Sequence, residues 1–288
     1  MTNSGHAGNH VKLSWRIRRS RAAEPITLDA DGLFLAERGW WARAARATPT
    51  ADEMSYDTLV LWNIDLTLVD VARVTRAAYA EAFSNVVGKP LVQLPQMAGR
   101  SESETFFDAL ALNGIDMGPD CDGLLQPFST ELARAMRTRS GQLVTQGQAL
   151  PGAAEALKAI HSYDRVVQSV LTGTSRANAA VKLAAFNLDG FVDLEVGGYG
   201  DEVFPRGTLL QVIRQRAGLK YQAEFGEANT VYIADSARDV AAAAVGGARS
   251  VAVATGRSSA AELREAGAGA VLPDLTDTAG LLGLLVAR

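Results

Sequence analysis

The stretch Leu59-Val60-Leu61-Trp62-Asn63-Ile64-Asp65-Leu66-Thr67-Leu68-Val69-Asp70 begins as an unbroken apolar run and then turns polar at every second position. A short run of Leu, Val and Trp reads as a strand buried on both faces, as strands inside a parallel sheet are. Asn63, Asp65 and Thr67 follow two apart, so an extended chain sends their side chains the same way, at the strand's carboxyl end. Two carboxylates there would read as a nucleophile and its acid/base partner. One of the two is an amide.

Outward from this strand, apolar runs and helical periodicities alternate. "VTRAAYAEAFSNVV", "SESETFFDALALNG" and "LLQPFSTELARAMRTRS" read as helices with no strand between them. A further helix opens after Pro151 in "LPGAAEALKAIHS", followed by strand "VVQSVLTG", helix "SRANAAVKLAAFN", short strand "VDLEVGG" and helix "GTLLQVIRQRAG". Strand "TVYIAD", helix "ARDVAAAAVGG", strand "SVAVATG", helix "SAAELREAG" and a last "AVL" complete the series. Such alternation predicts an α/β fold built on a doubly wound parallel sheet. The expected organisation is a core of residues 54–70 and 149–288, an inserted α-helical cap at 71–148, and an N-terminal extension at 1–53. The extension carries a basic cluster (Lys12, Arg16, Arg18, Arg19, Arg21), read as a solvated tail, and Trp40 and Trp41 on a short amphipathic helix.

Composition narrows the function. The chain has 288 residues, 48% of them hydrophobic, enough for one large domain with an insert, and its net charge of -4 offers no overall attraction to nucleic acid. A single cysteine, Cys121, excludes an internal disulfide framework and fits a reducing cytosol. Its flanking Asp120 and Asp122 disfavour a thiolate, so it reads as non-catalytic. No apolar run is long enough to span a bilayer, and Arg18-Arg19 lead into acidic residues rather than a signal's apolar stretch, so a cytoplasmic protein is expected. There is no phosphate-binding G-x-x-x-x-G-K-[ST] loop and no G-x-G-x-x-G after a strand.

In an open parallel sheet ligands bind beyond the carboxyl ends of the strands. What stands there is Asn63, Asp65 and Thr67 after the first strand; Thr172, Gly173, Thr174 and Ser175 after the strand ending at Leu171; and Asp235, with Asp239 one helical turn on. Arg206 opens a helix nearby. Carboxylates, hydroxyls and a cation on neighbouring strand ends describe a site for a hard cation and a phosphate.

These residues resemble the haloacid dehalogenase-like (HAD) superfamily, in its phosphoglycolate-phosphatase-like branch with a helical cap after the first strand. The resemblance runs from about Ser55 to the C-terminus and rests on four motifs in order: Asn63-Ile64-Asp65-Leu66-Thr67, Thr172 in "LTGTS", Arg206, and Ala234-Asp235-Ser236-Ala237-Arg238-Asp239. It implies a Rossmannoid core and Mg²⁺-dependent hydrolysis of a small phosphorylated metabolite by a monomer or homodimer. Asn63 would stand at the nucleophile position and Asp65 would be the acid/base. Thr172 and Arg206 would hold the transferring phosphoryl group, with Thr67, Gly173, Thr174 and the cap residue Arg100 toward the substrate. Asn63, Asp65 (through its carbonyl), Asp235 and Asp239 would surround the metal.

Two departures from the pattern matter: Ala234 for the usual Gly, and Asn63 for the usual Asp. An amide cannot form the carboxyl-phosphate anhydride. Asn63 therefore points to impaired or diverted hydrolysis, to a non-hydrolytic phosphometabolite-binding protein, or to a metal-dependent diphosphate-ionising enzyme of the HAD-like terpene-cyclase type. The last needs apolar lining of the cleft, which Phe83, Phe106, Phe107 and Phe128 could supply, although their helical spacing reads as the core of the cap.

Overall fold

A computed structural model describes residues 57–115, 122–202 and 205–286, all within the compact unit Pro49–Arg288. The N-terminal extension, with Trp40, Trp41 and the basic cluster, and Cys121 lie outside the described residues.

Five parallel strands form the sheet: β1 (Thr58–Trp62), β4 (Val166–Val170), β5 (Thr230–Ala234), β6 (Arg249–Val253) and β7 (Ala270–Leu272), in the order β4-β1-β5-β6-β7. β1 is an interior strand, flanked by β4 and β5, as its burial on both faces requires. Alternate residues serve opposite layers. Leu59 and Leu61 pack with Leu209, Leu210, Ile213 and Ala217 of α7 (Arg206–Tyr221) and Ala243 of α8 (Ala237–Gly246). Val60 and Trp62 join the larger core, with Leu157 and Ile160 of α5 (Ala153–His161), Leu183 of α6 (Arg176–Ala184) and Leu281 of α10 (Thr278–Val286). Trp62 stands opposite both Val170 and Ile233, so three strands end level and deliver their next residues to one place. The indole of Trp62 donates to Gln168 Oε1 at 3.1 Å, which satisfies the polar atom of a fully buried side chain.

After β1 the chain makes a tight turn through Leu66, whose φ of 59° places a branched side chain in the left-handed region. Two short strands, β2 (Val69–Asp70) and β3 (Gln148–Ala149), pair antiparallel where the chain leaves the core and returns. Between them lie only helices among the described residues: α1 (Ala72–Val87), α2 (Glu102–Leu112), α3 (Asp122–Thr138) and α4 (Ser140–Gln146). Phe106 stacks on Phe128 at 4.2 Å, Tyr79 meets Phe128 at 4.8 Å, and Phe83 meets Phe106 at 6.4 Å. These rings belong to the same buried cluster as Val60 and Trp62 of the sheet, so the insert packs onto the core without a break. α2 begins with a capping box, Ser101 accepting from the Glu104 amide and Glu104 from that of Ser101.

One expected element is reduced. "VDLEVGG" forms a single parallel bridge, Leu171 to Gly198, instead of a strand. The Asp193 carboxylate accepts from the Glu195 amide at 2.9 Å and curls the chain away from the sheet before Gly198 rejoins it. α9 (Ala260–Glu265) lies between β6 and β7.

Candidate phosphate-ester site

The level ends of β1, β4 and β5 open into a cleft of about 370 Å³ lined by Asn63, Asp65, Thr172, Gly173, Thr174, Arg206 and Asp235, with Arg100 from the insert. The Asn63 amide donates to the Ile233 carbonyl at 2.9 Å, which carries the β1–β5 pairing one residue past the strand. Its side-chain Nδ2 lies 2.9 Å from the backbone oxygen of Asp65, 2.9 Å from Asp235 Oδ1 and 3.3 Å from Thr67 Oγ1. Thr67 donates its hydroxyl proton to the same Asp235 oxygen at 2.9 Å. Burial, reinforced by the nearby Asp239, raises the Asp235 carboxyl to about 7 against the opposing bonds from Thr67 and Asn63. Gly256 sits so close that any side chain there would run into the Asp235 carboxylate.

Asp239 faces away from this triangle. Its carboxylate takes an ion pair from Arg206, a bond from Ser236 Oγ at 2.5 Å and the Tyr232 hydroxyl at 3.0 Å. Burial penalises the guanidinium of Arg206, but the adjacent Asp239 outweighs it and holds the group charged. Arg206 Nη2 also reaches the Arg100 carbonyl at 3.3 Å, so one cation touches both the core and the insert. Arg100 itself pairs with Asp108. At the end of β4, Gly173 approaches the insert so closely that a Cβ would strike the Arg100 carbonyl, and the Gly173 carbonyl accepts from the Glu102 amide at 2.8 Å.

The structure thus places Asn63, Asp65, Arg100, Thr172, Gly173, Thr174, Arg206 and Asp235 around the cleft, with Thr67 bonded to Asp235 and Asp239 to Arg206 behind the lining, and adds two more. Lys182 of α6 is 1% exposed, and its ammonium reaches Asp65 Oδ1 at 2.8 Å, Asp65 Oδ2 at 2.6 Å and Thr174 Oγ1 at 3.0 Å. Its three protons have three acceptors. Glu102, at the first turn of α2, is buried and accepts from Asn178 at 2.9 Å. Ser175, Asn178 and Lys182 recur three and four apart, a polar stripe on α6 that was readable as one buried face. Nothing in the sequence marks Glu102 apart from its neighbours in "SESE".

Burial raises the Glu102 carboxyl above its ordinary range, only partly opposed by Lys182 and by the bond from Asn178. An acid whose folded pKa is raised favours folding below its unfolded pKa and loses that contribution as pH rises through the folded value. Glu102→Gln keeps the acceptor for Asn178 and removes the charge. Its melting temperature relative to the unaltered chain is therefore expected to rise between mildly acidic and neutral pH. A difference that stays flat or falls over that range, in paired thermal melts, would contradict the assignment.

The oxygen set around Nδ2 of Asn63 has the hard-donor chemistry of a Mg²⁺ site. The Asp65 carbonyl and Asp235 Oδ1 already converge on one point, and Asn63 can add its own oxygen. Among the described residues no cluster of three or more His, Cys, Asp or Glu side chains could hold a metal, so a cation here depends on that carbonyl and that amide. No helix among the described residues is long and apolar enough to cross a membrane.

Residues 205–278 match the model of the HAD-hydrolase-like family. No curated protein sequence matches the chain. Among solved structures, a hydrolase from Pseudomonas syringae is 22% identical with a TM-score of 0.60, over 80% of this chain and 100% of that one. A predicted phosphatase from Clostridium acetobutylicum is 19% identical with a TM-score of 0.57, over 80% and 100% of the two chains. A haloacid dehalogenase-like family hydrolase from Streptococcus pneumoniae is 17% identical with a TM-score of 0.54, over 79% and 97%. At these identities the likeness establishes the fold.

Proposed function

We propose, for a chain of the haloacid dehalogenase-like fold, that the cleft takes a small phosphorylated metabolite on a phosphohydrolase scaffold whose covalent route is impaired or diverted at Asn63. One observation carries this reading: Asn63, Asp65, Thr172 and Asp235, from three strands, meet Arg206 and Arg100 around one cavity. The Thr172–Ser175 turn leads into α6, whose first amides favour an anion. Thr172 and Arg206 hold the phosphate, Asp65 is the acid/base, and Thr67 and Thr174 set the orientation of the carboxylates. Asn63 Oδ1, the Asp65 carbonyl and Asp235 would hold Mg²⁺, which supplies positive charge for the phosphate when bound. The insert acts as a cap over the cleft, and the protein works in the cytosol.

A second reading, non-hydrolytic binding of a phosphometabolite, is favoured by the side chain of Asn63 itself, a neutral amide that lines the cleft and is tied by hydrogen bonds to Asp65 and Asp235. The diphosphate-ionising alternative has less support, because Phe83, Phe106 and Phe128 are wholly buried in the insert and do not line the cavity.

A panel of small phosphorylated metabolites tests the proposal, scored for phosphate release and thermal stabilisation together. Stabilisation by a subset of compounds, with little or no release, is the expected result. A panel in which no phosphorylated compound raises the melting temperature would count against it.

A further inference from the structure

The side chain of Asn63 turns its nitrogen, not its oxygen, into the site. The partners fix this choice. A backbone carbonyl has only lone pairs to offer, so the atom 2.9 Å from the Asp65 oxygen must be a donor. The same nitrogen lies 2.9 Å from Asp235 Oδ1 and 3.3 Å from Thr67 Oγ1, two N–H bonds shared among three acceptors. The Asp65 carbonyl beyond β1 and the Asp235 carboxylate beyond β5 thus converge on one partly positive group. They are two of the three oxygens that would hold a divalent cation.

We infer that the Asn63 side-chain amide competes with a divalent cation for the same oxygens: its NH₂ group engages the Asp65 carbonyl and Asp235 Oδ1, and Mg²⁺ would bind them only when the amide makes a half-turn to present Oδ1. The inference rests on the phosphate-ester reading of the cleft and deepens it. Each orientation is consistent only with one state of the site. With no cation, an inward Oδ1 would face the Asp65 carbonyl and the Asp235 carboxylate, oxygen against oxygen. With a cation, an inward NH₂ would face it with positive charge. The half-turn gives up the bonds to Asp65, Asp235 and Thr67 together, so Mg²⁺ must displace a satisfied donor rather than fill a prepared cage. An ordinary Asp at this position would have no donor to displace and would add a negative charge.

Calorimetric titration of Mg²⁺ into the full chain, Asn63→Asp and Asn63→Ala tests this without reference to turnover. Asn63→Asp should bind tightest, on the order of tenfold or more above the unaltered chain, since ligand charge sets cation affinity. The deciding comparison is Asn63→Ala, which removes ligand and competitor together. Because the half-turn forfeits the bonds to Asp65, Asp235 and Thr67 for a single neutral oxygen ligand, the alanine variant is expected to bind Mg²⁺ more tightly than the unaltered chain. If Asn63 only donates an oxygen to the metal, it binds more weakly, and the inference is overturned. Should Asn63→Asp fail to fold by circular dichroism, the alanine comparison decides alone. Inorganic phosphate, added as a separate probe with and without Mg²⁺, isolates the underlying reading. Phosphate that stabilises none of the three chains counts against the phosphate-ester cleft, while the order of Mg²⁺ affinities still judges the amide.

Discussion

Replacing Asn63 by Asp is expected to raise Mg²⁺-dependent phosphate release from a small ester by about 10⁴–10⁶-fold, the scale of a lost covalent nucleophile in an otherwise intact site. The substitution exchanges an amide nitrogen for an oxygen with almost no change in shape. On the proposed reading, the other groups that reaction needs are Asp65 beside Lys182, Thr172 at the end of β4, Arg206 against Asp239, and Asp235. The carboxylate would supply both the attacking oxygen and the charge the cation lacks. Steady-state phosphate release, with a chelator as control, reads the effect. A folded Asn63→Asp chain no faster than the unaltered one, across a broad panel of esters, would remove the blocked-phosphatase reading and leave the binding one.

The second large effect falls on stability, and it is asymmetric. Lys182 and Asp65 form one ion pair, but the lysine side chain is 1% exposed and the aspartate side chain 38%. Asp65→Asn takes the contacting carboxylate from a buried ammonium and leaves it Thr174 and a neutral amide oxygen, with Glu102 the remaining nearby anion, a loss approaching the roughly 3–5 kcal/mol of a buried charge without its partner. That is a large part of the roughly 5–15 kcal/mol that holds a typical domain folded. Lys182→Met instead strands a carboxylate that water can reach and replaces the amine by an apolar chain of similar length, so its cost should be about 1 kcal/mol or less. Urea denaturation of the two variants measures both. Equal costs, or a larger one for Lys182→Met, would show that the pair is not held from the lysine side.

Much of this fold was legible because parallel strands buried on both faces read as continuous apolar runs. β1, β4, β5 and β6 lie where their apolar runs predict them, and the residues just beyond them meet in one cleft. "VDLEVGG" misled because its composition suits a strand while Asp193 offers the backbone a turn instead. The wiring of the site was less legible. Lys182 finds Asp65 across 117 residues, and no local pattern states which distant carboxylate a lysine will meet. Asp239 read from the sequence as a candidate metal ligand, yet its oxygens are occupied by Arg206, Ser236 and Tyr232. Asn63 was legible as a chemical departure. That its nitrogen would face the Asp65 carbonyl and the Asp235 carboxylate followed only from the register of β1 against β5.

On the proposed reading, Asn63 closes the covalent route while the rest of the site stays able to run it. Rapid acid quench after mixing with acetyl phosphate and Mg²⁺, followed by intact-protein mass spectrometry, reads that route itself. A phosphoryl adduct is expected on Asn63→Asp, mapped to residue 63, and none on the unaltered chain. An adduct at the same position of the unaltered chain, with deamidation of Asn63 excluded by peptide mass, would contradict it.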